Sequence, residues 1–505
     1  MKKSVTRRFI CLFIACCNLL FLFGCSNPVE GDESSLPPQS STSDTSPPDT
    51  TETSEPLEET KGLTYRLNKG KDGYVLYGIG SNNKKGATIV IPSSHEGLPV
   101  TEIAGKPFSG TQVESIYVPE SVTVFEDYAF AQATQLKTVI LPNNIKIITN
   151  KMFQGCKALT EIVIPDGVTR IGESAFGGCE KLKSITIPSS LTEIGAGAFH
   201  QCKALKEIEF PSDISSLKLG AEAFSECASL QSVKISASTG IKTIPAKAFW
   251  KCTMLSEFTF SNSLTKIEND AFVATKLKTI VLPEGLTEIG DRAFTNCEAL
   301  EELSMPASLK TLGDHPFAAC TGITKLSVAS GNSAFRSENN CLISVSDNRL
   351  LLGAANAGRV PDGVQIIADE SFAGIETLEK IIIPASVETI GAGAFMNCKS
   401  LNDVVFEANS KLLNIENNAF SGCHSLSEIT IPASVKSILD SFTYCQSLKT
   451  LKYEGTMAEF SAATGGNVKI PFEDPLYPGK VSCTVICSDG NYPAGTVKYF
   501  SQNCL

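Results

Sequence analysis

The stretch FQGCKALTEIVIPDGVTRIGESAF, residues 153–176, is followed at once by FGGCEKLKSITIPSSLTEIGAGAF, residues 176–199, and the two are one pattern written twice. Both place small or apolar residues at the same offsets: Cys156 and Cys179, Leu159 and Leu182, Ile162 and Ile185, Ile164 and Ile187, Val168 and Leu191, Ile171 and Ile194, then Ala-Phe. The Ile-x-Ile pair alternates with the two-residue period of a strand. Pro165 or Pro188 closes it, because proline lacks the amide hydrogen that a ladder needs and fixes the turn. A second short extended piece, Val168 to Ile171, follows, and the Ala-Phe pair is expected on a tight helical or 3-10 turn.

Working outward, the phenylalanine recurs at Phe108, Phe130, Phe153, Phe176, Phe199, Phe224, Phe249, Phe272, Phe294 and Phe317, then at Phe372, Phe395, Phe420 and Phe442. Steps are 22 to 25 residues, apart from one gap of 55. A unit of about 23 residues leaves its Leu, Ile, Val and Phe side chains facing a missing neighbour, so it cannot fold alone. Stacking supplies the neighbour. The expected fold is therefore a mostly β repeat solenoid of about 14 units, with strands in a parallel ladder about 4.8 Å apart. The longer steps add residues after the first strand, at Ser212 to Leu217, Ala237 to Gly240 and Ala408 to Lys411.

This register resembles the BspA-like leucine-rich repeats of bacterial surface proteins, over about residues 62–490. Ile91-Pro92 and the run Gly97 to Ile103 are similar to the family's first unit, which places an N-terminal capping unit at 62–107. Tyr453 to Thr456 and Cys487 to Gly490 are similar to its last, which places a C-terminal capping unit at 451–505. Residues 108–450 form the solenoid between them, with an irregular insert at about 328–360. Within that insert, Cys341 to Ser344 and Leu350 to Leu352 around Asp347-Asn348 read as a β-hairpin. The resemblance implies surface exposure and, in some members, adhesion to host or microbial proteins. It implies no shared ligand.

The N-terminus carries an address. Lys2, Lys3, Arg7 and Arg8 precede an apolar run from Phe9 to Gly24, a secretory signal at residues 1–24. Sixteen residues rise only about 24 Å as a helix, short of a bilayer core near 30 Å. Leu22-Phe23-Gly24-Cys25 is similar to the bacterial lipoprotein signal, in which the cysteine, here Cys25, becomes the acylated N-terminus. Phe23 is larger than the residue usual there, so a plain cleaved signal stays as the alternative. From Ser26 to Thr60 there are nine acidic residues, six prolines and no Lys or Arg, so residues 25–61 are expected to be a disordered acidic linker. The whole chain has a formal net charge of −11, and nothing basic enough for a nucleic-acid footprint remains.

Ten cysteines sit three residues after a repeat phenylalanine, from Cys156 and Cys179 to Cys423 and Cys445. Stacked equivalents about 4.8 Å apart with parallel side chains do not meet disulfide geometry, so free buried thiols are expected. Ala133 and Thr275 fill the same slot, as suits a packing position. Cys483, Cys487 and Cys504 lie outside the column; on one strand, Cys483 and Cys487 would be about 13 Å apart, too far to bridge each other. His95, His200, His315 and His424 are scattered and no C-x-x-C occurs, so neither metal nor cofactor is expected. No G-x-S-x-G, phosphate loop or H-E-x-x-H occurs either, which argues against an enzyme.

The remaining signal is on the outward side of the strands. The residue between the two buried isoleucine-type positions is Tyr117, Ile140 and Val163 in three consecutive units, before turning polar at Thr186. Strand propensity and lateral packing account for many such residues, but three in a row, edged by Glu114 and Lys137, also read as a protein-contact patch. Ile382 and Val405 make a smaller pair. The expected function is a lipid-anchored, extracytoplasmic surface protein, non-catalytic, that binds a protein or cell-surface macromolecule; a structural or decoy surface layer without a specific ligand is the alternative. Its other contact is the membrane, through the anchor.

Overall fold

The computed structural model describes residues 57–465 and 483–492. The signal at 1–24, Cys25, most of the linker and Cys504 lie outside the described residues. The rest winds into a solenoid whose turns meet their neighbours on three faces.

On the front face the Ile-x-Ile segments pair in parallel. Thr88–Val90, Ser115–Tyr117 and Thr138–Ile140 form the first run, with Val90 opposite Tyr117 and Tyr117 opposite Ile140. The ladder resumes through Glu207–Glu209, Ser232–Lys234 and Glu257–Phe258, then Thr279–Val281, Glu302–Met305 and Lys325–Val328. Residues 161–164 and 184–187 carry the strand pattern but are not bonded as strands. Their alternation survives: Ile162, Ile164, Ile185 and Ile187 are all buried. These turns are held chiefly on the other two faces, by bonds such as Gly172 N to Ile148 O at 2.8 Å and Phe153 N to Ala175 O at 2.7 Å, while the front face keeps only entry bonds such as Lys183 N to Thr160 O at 3.1 Å.

The side face is a second parallel ladder of two-residue strands, for example Ile147–Ile148, Arg170–Ile171, Glu193–Ile194 and Lys218–Leu219. The third face holds the phenylalanines. Their turns are neither α-helix nor 3-10 helix; among the described residues those appear only at Met457–Ala463 and Gly80–Asn82. The reason is a pair of left-handed residues two before and two after every ring from Phe108 to Phe420, such as Lys247 (φ 55°) and Lys251 (φ 55°) around Phe249. Backbone that alternates hand cannot continue a helix. It instead aims every second amide along the solenoid, so that Lys247, Phe249 and Lys251 donate to Asn269, Ala271 and Val273 of the next turn.

Inside, the rings stack face to face from Phe108 to Phe317 and again from Phe372 to Phe442, with centroids 5.0–5.6 Å apart. Each fully buried aromatic contributes roughly 1.5–3 kcal/mol by area, and the stacking about 0.5–1.5 kcal/mol more. The column breaks once, and with it the core divides in two, at the 55-residue gap. Three antiparallel strands fill that gap: Phe335–Glu338, Cys341–Ser344 and Arg349–Gly353. Side chains alternate across a strand, so Leu342 packs into the N-terminal core while Cys341 and Ile343 pack into the C-terminal one; a register shift opposite them lets Leu352 follow Leu342 and Leu350 follow Ile343. The hairpin is a wall shared by both. Arg349–Leu350 then starts a new side ladder against Ile366–Ile367.

Ladder ends are covered. Thr64–Leu67 folds back antiparallel on Tyr74–Gly78, which opens the side ladder beside Leu98–Ile103. Thr484–Cys487 extends the front ladder beyond Thr450–Tyr453 and is closed by Gly490–Tyr492. Antiparallel hairpins at both ends limit edge-to-edge pairing with another chain.

Candidate partner-binding face

The outward patch is assembled by the front ladder. Because Tyr117 and Ile140 are register partners, their side chains project from the same row of the sheet, each half-buried by its neighbours. Val163 follows in the next turn and is 64% exposed, on the segment where strand bonding lapses. At the entry to the two strands, Lys137 Nζ lies 2.7 Å from Glu114 Oε2. Beside it, Thr138 Oγ1 donates to Ser115 Oγ at 3.0 Å. The row therefore has an apolar centre and a paired, polar margin. Both charges of that pair keep much of their solvent, so the pair is worth only about 0.2–1 kcal/mol.

Val90 belongs to the same row, opposite Tyr117, and the sequence reading passed over it. Its signal was present: Ile89-Val90-Ile91-Pro92 repeats the Ile-Val-Ile-Pro of residues 162–165 outside the phenylalanine register. Val124 and Ile147 were also missed. They point outward from the side ladder of the same two turns, 46% and 43% exposed, on strands too short to show alternation. Elsewhere in the N-terminal half the front row is polar or isolated; Val281, 70% exposed, faces Ser304 in the next strand. Ile382 and Val405 are register partners in the C-terminal half.

The cysteine column is buried and carries free thiols, from Cys156 to Cys445. Each donates to the carbonyl of a phenylalanine in the turn before, as Cys156 Sγ does to Phe130 O at 3.1 Å and Cys179 Sγ to Phe153 O at 3.2 Å. Burial pushes the Cys156 and Cys227 thiols up to about 12, so they are not nucleophiles near neutrality. Cys483 and Cys487 are also buried and unbridged. Among the described residues there is no group of three or more His, Cys, Asp or Glu that could hold a metal ion. No helix among them is long and apolar enough to cross a membrane.

Against known proteins, the model of the BspA-type leucine-rich repeat region matches residues 101–227, 217–342 and 356–464. Among solved structures, the chain is similar to a leucine-rich repeat protein from Bacteroides ovatus, with 26% identity and a TM-score of 0.59, covering 83% of this chain and 99% of that one. A leucine-rich cell surface protein from Faecalibacterium prausnitzii is 24% identical with a TM-score of 0.42, covering 81% of this chain and 98% of that one. No curated protein matches.

Proposed function

The chain belongs to the BspA-type leucine-rich repeat family, and on that premise we propose that it is a non-catalytic, lipid-anchored surface protein that binds a protein partner through the front row at Val90, Tyr117, Ile140 and Val163. Proteins of this repeat type are typically surface proteins that mediate protein interactions. The observation that carries the site is the direct pairing of Val90, Tyr117 and Ile140 in one outward-facing, half-buried row, on a face that is otherwise mostly polar. A contiguous apolar strip with a polar rim is the usual composition of a contact surface. Glu114 and Lys137, already paired with each other, would form part of that rim.

Two experiments test the reading. Ile140→Lys places a charge at the centre of the row without entering the core, so it should weaken capture of a surface or matrix protein by about tenfold or more while the melting temperature holds. Unaltered capture removes the row from consideration. Anchoring is tested separately: the exported protein should partition into detergent, and Cys25→Ala should move it to the aqueous phase, since acyl chains supply about 0.8 kcal/mol per buried CH₂.

A further inference from the structure

From the turn of Phe130 to that of Phe294, the amides two before, at, and two after the phenylalanine always donate to the next turn. In the last of them Arg292 N reaches Asp314 O, Phe294 N reaches Pro316 O and Asn296 N reaches Ala318 O, at 2.8–2.9 Å. At Phe317 the series stops, because the turn that should follow is replaced by the hairpin. The amides of His315, Phe317 and Ala319 have no acceptor among the described residues, and the side-ladder carbonyl of Leu312 has no donor. Phe317 is only 2% exposed, and an unpaired amide in so buried a residue is rare.

Leu312, His315 and Phe317 line a cleft of about 540 Å³, and Ala319 lies next to its wall residue Ala318. One wall is Leu312 to Ala318, the other Ala368 to Glu370, and the hairpin supplies Phe335, Leu342 and Leu352. His315 Nδ1 faces Glu370 Oε2 across it at 3.9 Å. Arg349 is occupied by Asp347 at 3.1 Å, and an Asp369 carboxylate oxygen accepts from Ala392 N at 2.8 Å. Asp314 is exposed, and among the described residues its carboxylate accepts no hydrogen bond and forms no close ion pair, adding only to the negative charge around Arg292. The cleft thus offers a row of main-chain donors, an apolar floor and an acidic rim.

We propose that this cleft is a second binding site, distinct from the front row, and that it takes an extended, lysine- or arginine-bearing peptide segment of a protein partner. The carbonyls of such a segment accept from His315, Phe317 and Ala319, and one of its amides donates to Leu312, which continues the interrupted ladders as an added strand does at an open sheet edge. Its apolar side chains meet Phe335 and Leu352, and its basic side chains meet Asp314 and Glu370. An inorganic anion would satisfy the amides too, but the carboxylates oppose it.

The test titrates the full chain with a short capped peptide alternating lysine and valine, by calorimetry and by amide hydrogen exchange. The expected result is saturable binding, with slowed exchange at His315, Phe317 and Ala319. A glutamate counterpart, a backbone N-methylated version and Asp314→Lys should each weaken it by about tenfold or more. Ile140→Lys should leave it unchanged, which separates this site from the front row. Absence of saturable binding, equal affinity for the glutamate peptide, unslowed exchange at the three amides, indifference to Asp314→Lys, or displacement by inorganic phosphate overturns the proposal.

Discussion

Cys156 illustrates why one residue type recurs at a single slot. The position is fully buried and lies beside a phenylalanine carbonyl of the preceding turn, so it favours a small side chain with a weak donor. Thr275 fills the slot with a hydroxyl that instead meets the next member of the column, 3.2 Å from Cys297 Sγ, and Ala133 does without the donor. The column has a consequence for alkaline stability. Folded, the thiols of Cys156, Cys227 and Cys398 are pushed up to about 12 by burial, from a usual value of 9.0. Below that usual value they are neutral in both states and contribute nothing to pH dependence. Above it the unfolded chain releases protons that the folded chain retains, so stability falls as pH rises, by about 1.4 kcal/mol per pH unit for each such thiol. The melting temperature should therefore drop steeply between about pH 9 and pH 11, and less steeply in Cys156→Ala. Equal slopes in the two proteins would show that this thiol does not drive the loss. At neutral pH a thiol reagent should label the column only after denaturation.

At the scale of elements, the period, the stacking and the strand alternation were all legible, because each depends on side chains that must recur to bury one another. Phe153 and Ile162 announce their own environment. The aromatic turn was less legible: a small residue before a phenylalanine suits a helical turn equally well, and the left-handed residues around the ring include Lys, Arg, His, Glu, Asp, Asn, Gln, Ser, Tyr, Ala and Gly, with no common signature. What selects that backbone is the next turn's carbonyls, which no local pattern encodes. The same gap explains Val124 and Ile147, whose two-residue strands carry no alternation. Non-glycine residues pay for the left-handed conformation, about 1 kcal/mol each. Ala274 has a φ of 59° and no polar side-chain function, so Ala274→Gly should raise stability by about 0.5–1 kcal/mol. Chemical denaturation measures it. A loss of stability would mean that the methyl group packs for more than the strain it causes.

At the scale of the whole molecule the decisive feature is the divided core. Repeat arrays unfold cooperatively when each turn is coupled to the next, and lose that property where an interface is weak. Here the ring stack and the amide ladder of the phenylalanine turns lapse between Phe317 and Phe372, and the two sides are joined chiefly through the hairpin, with the Ala355 N to Ile323 O bond and the His315–Glu370 contact beside it. Denaturant unfolding should therefore show two transitions. Phe199→Ala removes a ring stacked on both faces, at 5.2 and 5.1 Å, and should cost about 3–5 kcal/mol in one transition alone. Phe395→Ala should lower only the other. The hairpin gives the sharper version, because adjacent residues feed different cores: Leu342→Ala should act on the transition that Phe199→Ala lowers, and Ile343→Ala on the one that Phe395→Ala lowers. A single transition shifted equally by all four substitutions would mean that the hairpin transmits enough coupling to make the two cores one cooperative unit, and the cleft beside it would then open only with the whole.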